Sequence, residues 1–161
     1  MGLNMKRIDA IKQIMDKVKE EDIVIASTGM IAREVYQVKD RDRNFYMMGS
    51  MGNALSIGIG MALNRPDLLV FVINGDASVL MSLGTLVTHT KLCPPNLFHI
   101  ILDNNCHAST GGQKTSSDKI EFTELAPNTY VLNIDKAKGD APRIPLSGKQ
   151  IKERFMRSLC E

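Results

Sequence analysis

Gly75-Asp76-Ala77-Ser78, closing the apolar run Leu68 to Ile73, and Asp103-Asn104-Asn105, closing the run Leu97 to Leu102, decide the reading of this chain. Each run reads as a buried strand that delivers oxygen ligands to its carboxyl end. Asp76 and Asn104 are separated by about one strand-end to strand-end step through a crossover helix, so both can reach one small cation. Mg²⁺ takes oxygen ligands and keeps part of its shell for phosphates, so a carboxylate and an amide from adjacent loops suit a metal-bound diphosphate. A helix over Ser78 to Lys91 follows, and its free N–H groups would favour phosphate oxygens in the same crevice.

Upstream, Ile8, Ile11, Ile14, Met15 and Val18 recur at helical spacing between Arg7 and Glu20, and Asp22 to Ala26 reads as a buried strand. Ser27-Thr28-Gly29 is a turn that can cap a helix over Met30 to Val38. Lys39 to Asn44 reads as a charged, solvated loop. After Phe45 to Met48 and the Gly49-Ser50-Met51-Gly52 segment comes a helix rich in Ala54, Ser56, Gly58, Gly60 and Ala62. Repeated glycine in a helix points to close approach of another element.

Downstream, Pro94-Pro95 separates the second helix from the second strand, and Cys106 to Lys119 is polar, glycine-containing and expected to be a mobile loop over the crevice. Tyr130 to Ile134 is the last expected strand, and Lys136 to Pro145 reads as irregular. Ser147 with Gln150 forms a capping box for a terminal helix through Leu159. The alternation of strands and helices predicts an α/β fold: a three-layer αβα arrangement around a mostly parallel sheet, with ligands at the carboxyl ends of the strands.

Composition narrows the class. The chain has 161 residues, enough for one domain over 1–161, with 43% apolar and 24% charged residues, as in ordinary soluble globular proteins. Its formal charge is +2 with basic residues scattered among acidic ones, which argues against nucleic acid as a partner. Cys93, Cys106 and Cys160 are odd in number and lack CxxC pairing, which fits a reducing, cytoplasmic setting. The amino-terminal sequence has no apolar signal core, and the apolar runs fall short of the ~20 residues of a membrane span, so no membrane association is expected.

Four segments in register go further: Ser27-Thr28-Gly29 with Arg33-Glu34-Val35-Tyr36, Tyr46 to Gly52, Gly75 to Ser78, and Asn104 through His107 to Gly111-Gly112-Gln113. Together they resemble the diphosphate-binding half of thiamine-diphosphate enzymes, and within it the sulfopyruvate and phosphonopyruvate decarboxylases. The resemblance implies thiamine diphosphate and Mg²⁺ as cofactors, with Asp76, Asn104 and the backbone carbonyl of Cys106 as metal ligands. It implies that Thr28, Gly29, Gly75, Ala77 and Ser78 line the diphosphate site beside Asp76 and Asn104. Gly49 would accept a hydrogen bond from the aminopyrimidine through its carbonyl, next to Ser50, and Met51 would be the wedge that bends the cofactor.

What the resemblance implies about activity is decarboxylation of a small anionic 2-oxo acid, either sulfopyruvate to sulfoacetaldehyde and carbon dioxide, in coenzyme M biosynthesis, or phosphonopyruvate. The glutamate that activates the aminopyrimidine sits on a separate pyrimidine-binding domain in this family. The length favours a β-type subunit joined to such an α subunit, as a hetero-oligomer of at least two αβ pairs. Glu34 is the tempting substitute, and it reads instead as a surface or helix-end charge.

Two family positions differ, Ala77 for a second glycine and Asp103 for the first of an Asn pair, and the region after Glu121 to Ala126 is short, as though a helix and a strand were lost. His107 is the candidate catalytic residue for carbanion protonation, with Ser109 to Lys114 beside it to meet the anionic head of the substrate. His89 and His99, in a helix and a strand, read as packing residues. Two other readings remain: a Rossmann-type nucleotide module using Gly58-Ile59-Gly60, and a noncatalytic subunit that binds cofactor without turnover.

Overall fold

The computed structural model describes residues 5–160; residues 1–4 and 161, at the ends of the expected 1–161 domain, lie outside the described residues. In chain order the elements are α1 (Arg7–Met15), β1 (Ile23–Ala26), α2 (Met30–Val38), β2 (Asn44–Tyr46), α3 (Ala54–Asn64), β3 (Val70–Gly75), α4 (Asp76–Leu80), α5 (Gly84–Leu92), β4 (Leu97–Asp103), β5 (Cys106–His107), β6 (Gln113–Lys114), α6 (Phe122–Leu125), β7 (Thr129–Asn133) and α7 (Gly148–Ser158). The apolar runs become the expected parallel sheet, in the order β2-β1-β3-β4-β7. No helix among the described residues is long and apolar enough to cross a membrane.

Both faces of the sheet are covered. Val70, Val72, Leu97 and Ile101 face a core closed by α3, α5 and α6, while Val24, Ile73 and Leu102 face a second core under α1 and α2. α7 covers the β2 side and serves both cores, Phe155 in the first and Ile151 in the second. Its Ser147–Gln150 capping box forms as expected. In α3, the small-residue stripe has its physical reason at Gly58, where a Cβ would overlap the Val72 side chain of β3.

Several expectations are corrected. The first helix ends at Met15 and not near Glu20, with Val18 buried in the turn that follows. The helix expected over Ser78 to Lys91 begins at Asp76 and is interrupted between Leu80 and Gly84, splitting into α4 and α5. The Lys39 to Asn44 stretch is not simply surface: Arg41 is buried, and its Nη2 donates to the carbonyls of Lys19, Glu20 and Asp22 at 2.7, 2.8 and 2.7 Å. One guanidinium thus satisfies the turn that joins α1 to β1. The Cys106 to Lys119 loop, whose first residues line the cleft at the sheet's edge, carries a short antiparallel hairpin of β5 and β6. β7 pairs parallel with β4, and Met5 bridges to Ile134 beyond its end, so a short β4-to-β7 connection still extends the sheet.

Glu34 is the largest departure. It is buried, at 4% exposure, and accepts from Arg7 Nε at 2.8 Å and Arg7 Nη2 at 2.9 Å. The same Nη2 donates to the Lys138 carbonyl at 2.8 Å, so the pair ties α1, α2 and the segment after β7 together. A bidentate partner from another helix is what makes burial of this carboxylate tolerable.

Candidate active site

β1 continues to β2 on one side, and the chain then crosses to β3, β4 and β7 on the other. The carboxyl ends of β1 and β3 therefore flank a topological switch point, where open α/β sheets form a crevice. A cleft of about 260 Å³ lies there, lined by Thr28, Gly29, Met51, Gly75 to Ser78, Asn104 and Cys106 to Thr110, together with Arg7 and Ile134. Of the expected site residues, Gly49 and Ser50 are not part of that lining, but the Gly49 N–H donates to Thr28 Oγ1 at 2.9 Å and holds their turn against it.

The Gly49 to Gly52 turn has a strained course that its residues permit. Gly49, Ser50 and Gly52 all have positive φ, at 83°, 50° and 100°. At Gly52 a side chain would also meet the Ser82 hydroxyl. The turn presents Met51 to the cleft with 37% of its surface exposed, an apolar, adaptable side chain held ready for contact.

Asp76 opens α4 and is buried at 2% exposure. Thr115 Oγ1 donates to its Oδ2 at 2.6 Å, and Thr115 lies 3.1 Å from Ser117 Oγ, which donates to Asp103 Oδ1 at 3.0 Å. Each hydroxyl spends its one proton on a carboxylate, so the two carboxylates are each held by one of two neighbouring hydroxyls. Burial raises the Asp76 carboxyl above its ordinary pKa, the Asp103 charge adds to the rise, and the Thr115 bond opposes it. A carboxylate pressed in this way gains most from a cation. Asn104 Oδ1 accepts from the Cys106 N–H at 3.1 Å, which fixes the amide beside it.

Among the described residues no group of three or more His, Cys, Asp or Glu is gathered around one point. One carboxylate with an amide and a backbone carbonyl is instead the sparse oxygen set that Mg²⁺ takes when phosphates complete its shell. The residues present fit such an ion.

Ser78 lines the cleft, and its hydroxyl is spent within the protein. Its hydroxyl accepts from the Gly52 N–H at 3.0 Å and from Ser27 Oγ at 3.1 Å, and donates to Asn74 Oδ1 at 3.3 Å. All its capacity is engaged, so in this state only its backbone N–H remains for a diphosphate oxygen. Lys114 also turns away from the expected role, because its ammonium pairs with exposed Asp118 at 3.1 Å and it does not line the cleft. His107 is half-buried on β5 and lines the cleft, as do Ser109 and Thr110.

Sequence reasoning missed Thr115, Ser117, Ser27 and Asn74. Ser27 lay within a quoted motif without a role, and the Thr-x-Ser spacing carried no signal of its own.

Residues 25–140 match the family of the thiamine pyrophosphate enzyme, C-terminal TPP binding domain. The chain belongs to this family. This thiamine-pyrophosphate-binding domain is 51% identical over 156 residues to the sulfopyruvate decarboxylase subunit beta of Methanocaldococcus jannaschii, covering 97% of this chain and 78% of that one. It is 43% identical over 120 residues to the phosphonopyruvate decarboxylase of Streptomyces viridochromogenes, covering 74% of this chain and 30% of that enzyme. Among solved structures, benzoylformate decarboxylase from Polynucleobacter necessarius superposes with a TM-score of 0.67 at 13% identity, which shows the shared fold. That match covers 89% of this chain and 35% of the decarboxylase, so the chain spans about a third of the solved protein it resembles.

Proposed function

We propose that this chain is the β subunit of a thiamine-diphosphate- and Mg²⁺-dependent decarboxylase that converts sulfopyruvate to sulfoacetaldehyde and carbon dioxide in coenzyme M biosynthesis. The observation that carries the reading is the meeting of Asp76 and Asn104 at one cleft, in a member of the thiamine-pyrophosphate-binding family. The chain's coverage of a separate β subunit, against its coverage of under a third of the phosphonopyruvate enzyme, favours the sulfopyruvate assignment. Residues 1–161 would act as one cofactor-binding domain.

In this reading Asp76, Asn104 and the Cys106 carbonyl hold Mg²⁺. Thr28, Gly29, Gly75 and the backbone N–H groups of Ala77 and Ser78 hold the diphosphate. Gly49 and Ser50 face the aminopyrimidine, with the Gly49 carbonyl as acceptor, and Met51 is the wedge. What the bound cofactor supplies is an electron sink for loss of carbon dioxide from a 2-oxo acid. His107 stands at the cleft to deliver a proton, and Ser109 and Thr110 offer hydroxyls to the substrate's anionic head.

A partner completes the site. Glu34 is committed to Arg7, which supports the reading that the activating glutamate comes from a pyrimidine-binding α subunit. Met48, Met81 and Val87, at 61%, 62% and 71% exposure, are apolar surface that such a subunit would cover. At least two αβ pairs form the natural unit. The free cysteines fit a cytoplasmic location.

The test is carbon dioxide release from sulfopyruvate and from phosphonopyruvate, with thiamine diphosphate and Mg²⁺, by this chain alone and mixed with an α subunit. Turnover of sulfopyruvate only in the mixture is expected. Preference for phosphonopyruvate would overturn the substrate assignment, and folded, cofactor-bound mixtures without turnover would overturn the catalytic one.

A further inference from the structure

A chain of four buried polar side chains leads from the cleft into the middle of the sheet. Ser27 Oγ donates to Ser78 Oγ at 3.1 Å, Ser78 Oγ to Asn74 Oδ1 at 3.3 Å, and Asn74 Nδ2 meets His99 Nε2 at 3.1 Å. Exposures are 3%, 2%, 1% and 0% in that order. Val72 pairs with His99 across β3 and β4, which sets Asn74 diagonal to His99 on the same sheet face. An Asn and a His on an otherwise aliphatic face therefore contact each other and, through Ser78, the cleft. His99 is more than the packing residue its sequence suggests.

Burial keeps His99 neutral, so its ring carries one proton. While Nε2 accepts from Asn74, that proton sits on Nδ1, which has no partner among the described residues. The same four groups can donate the other way. His99 Nε2–H then gives to Asn74 Oδ1 with the amide turned over, Asn74 Nδ2 gives to Ser78, and Ser78 gives to Ser27. Ser78 makes three bonds in either direction, because the Gly52 N–H at 3.0 Å donates to it throughout. The proton count of the protein is the same in both directions; because the proton cannot pass directly between the two ring nitrogens, water admitted by transient opening takes it from Nδ1 and returns one to Nε2.

The two directions differ in one unpartnered donor. In the first direction it is His99 Nδ1–H, deep in the protein. In the reverse direction it is Ser27 O–H, at the cleft wall. An anion in the cleft can match Ser27 and cannot reach His99.

We propose that diphosphate binding reverses this chain, making Ser27 a donor to a phosphate oxygen and moving the His99 proton from Nδ1 to Nε2. The proposal rests on the cofactor reading above. It assigns Ser27 as a binding residue and Ser78, Asn74 and His99 as positioning residues that act through it.

The test uses the chain labelled with ¹⁵N-histidine in its complex with the α subunit. Long-range ¹H–¹⁵N correlation spectra tell the protonated ring nitrogen from the bare one, and with only three histidines His99 is assigned by its loss in His99→Gln. Titrants are Mg²⁺ alone, Mg²⁺ with inorganic pyrophosphate, and Mg²⁺ with thiamine diphosphate, each with calorimetry on the same sample. The expected result is Nδ1–H with Mg²⁺ alone and Nε2–H at saturation with either diphosphate. Ser27→Ala is expected to bind about tenfold more weakly and to keep Nδ1–H at saturation. Saturated binding with an unchanged His99 tautomer would overturn the proposal alone. Absence of binding by either diphosphate would overturn the cofactor reading and the proposal with it.

Discussion

Lowering the pH from 7 to 5 will destabilise the protein, and His99 is the main cause. Its ring is fully buried, and burial, with a smaller contribution from His89, pushes its pKa from an ordinary 6.5 down to about 3. In the unfolded chain the same ring titrates near its ordinary value. Between those two values the unfolded state holds one proton more than the folded state, so stability falls as pH falls through this window. The slope is about 1.4 kcal/mol per pH unit, which gives His99 a cost of about 2 kcal/mol at pH 5. His89 is also lowered by burial and adds in the same direction. Asp76, raised in the folded state, has the opposite sign: its window runs from the ordinary carboxylate value of 3.8 up to its raised folded value, and it offsets the histidine loss where the two windows overlap. Against a total stability of about 5–15 kcal/mol the loss is measurable. Urea unfolding followed by circular dichroism at pH 7, 6 and 5 would show a falling midpoint with constant slope. In His99→Gln, which offers an amide to Asn74 but does not titrate, the same pH change should cost only the His89 share. Equal pH dependence in both proteins would refute the assignment.

Other consequences follow from single contacts. Asp76→Asn should weaken Mg²⁺-dependent binding of thiamine diphosphate by about a hundredfold in calorimetry, since it deletes the charged ligand. Its melting temperature should hold, because a buried carboxylate facing Asp103 is removed; a large drop would show that the carboxylate serves mainly the fold. Gly58→Ala places a methyl against Val72 and should cost about 1–3 kcal/mol by urea unfolding, with an unchanged value refuting the close approach of α3 to β3. Glu34→Ala leaves Arg7 buried without its partner and should cost about 3–5 kcal/mol, and a neutral result would mean that Arg7 finds solvent.

The strands were legible because burial on both faces leaves an apolar run as its trace, and the capping box because its two partners are three residues apart. Long-range partners leave no such trace. Glu34 and Arg41 look like surface charges until Arg7 and the carbonyls of Lys19, Glu20 and Asp22 come within 2.9 Å of them. The break between α4 and α5 and the β5–β6 hairpin are short, and their periodicity is too brief to read. At the site, motif residues at strand ends were legible, but the hydroxyls that orient them were not. Thr115 reaches Asp76 across 39 residues, and Ser27 reaches Ser78 across 51. Those contacts change what the motif means. A serine in the Gly-Asp-Ala-Ser motif reads as a phosphate ligand, yet its hydroxyl is spent between Gly52, Ser27 and Asn74. Its position ties the turn that carries Met51 to the strand that leads into Asp76, so the two halves of the site are set by one oxygen atom.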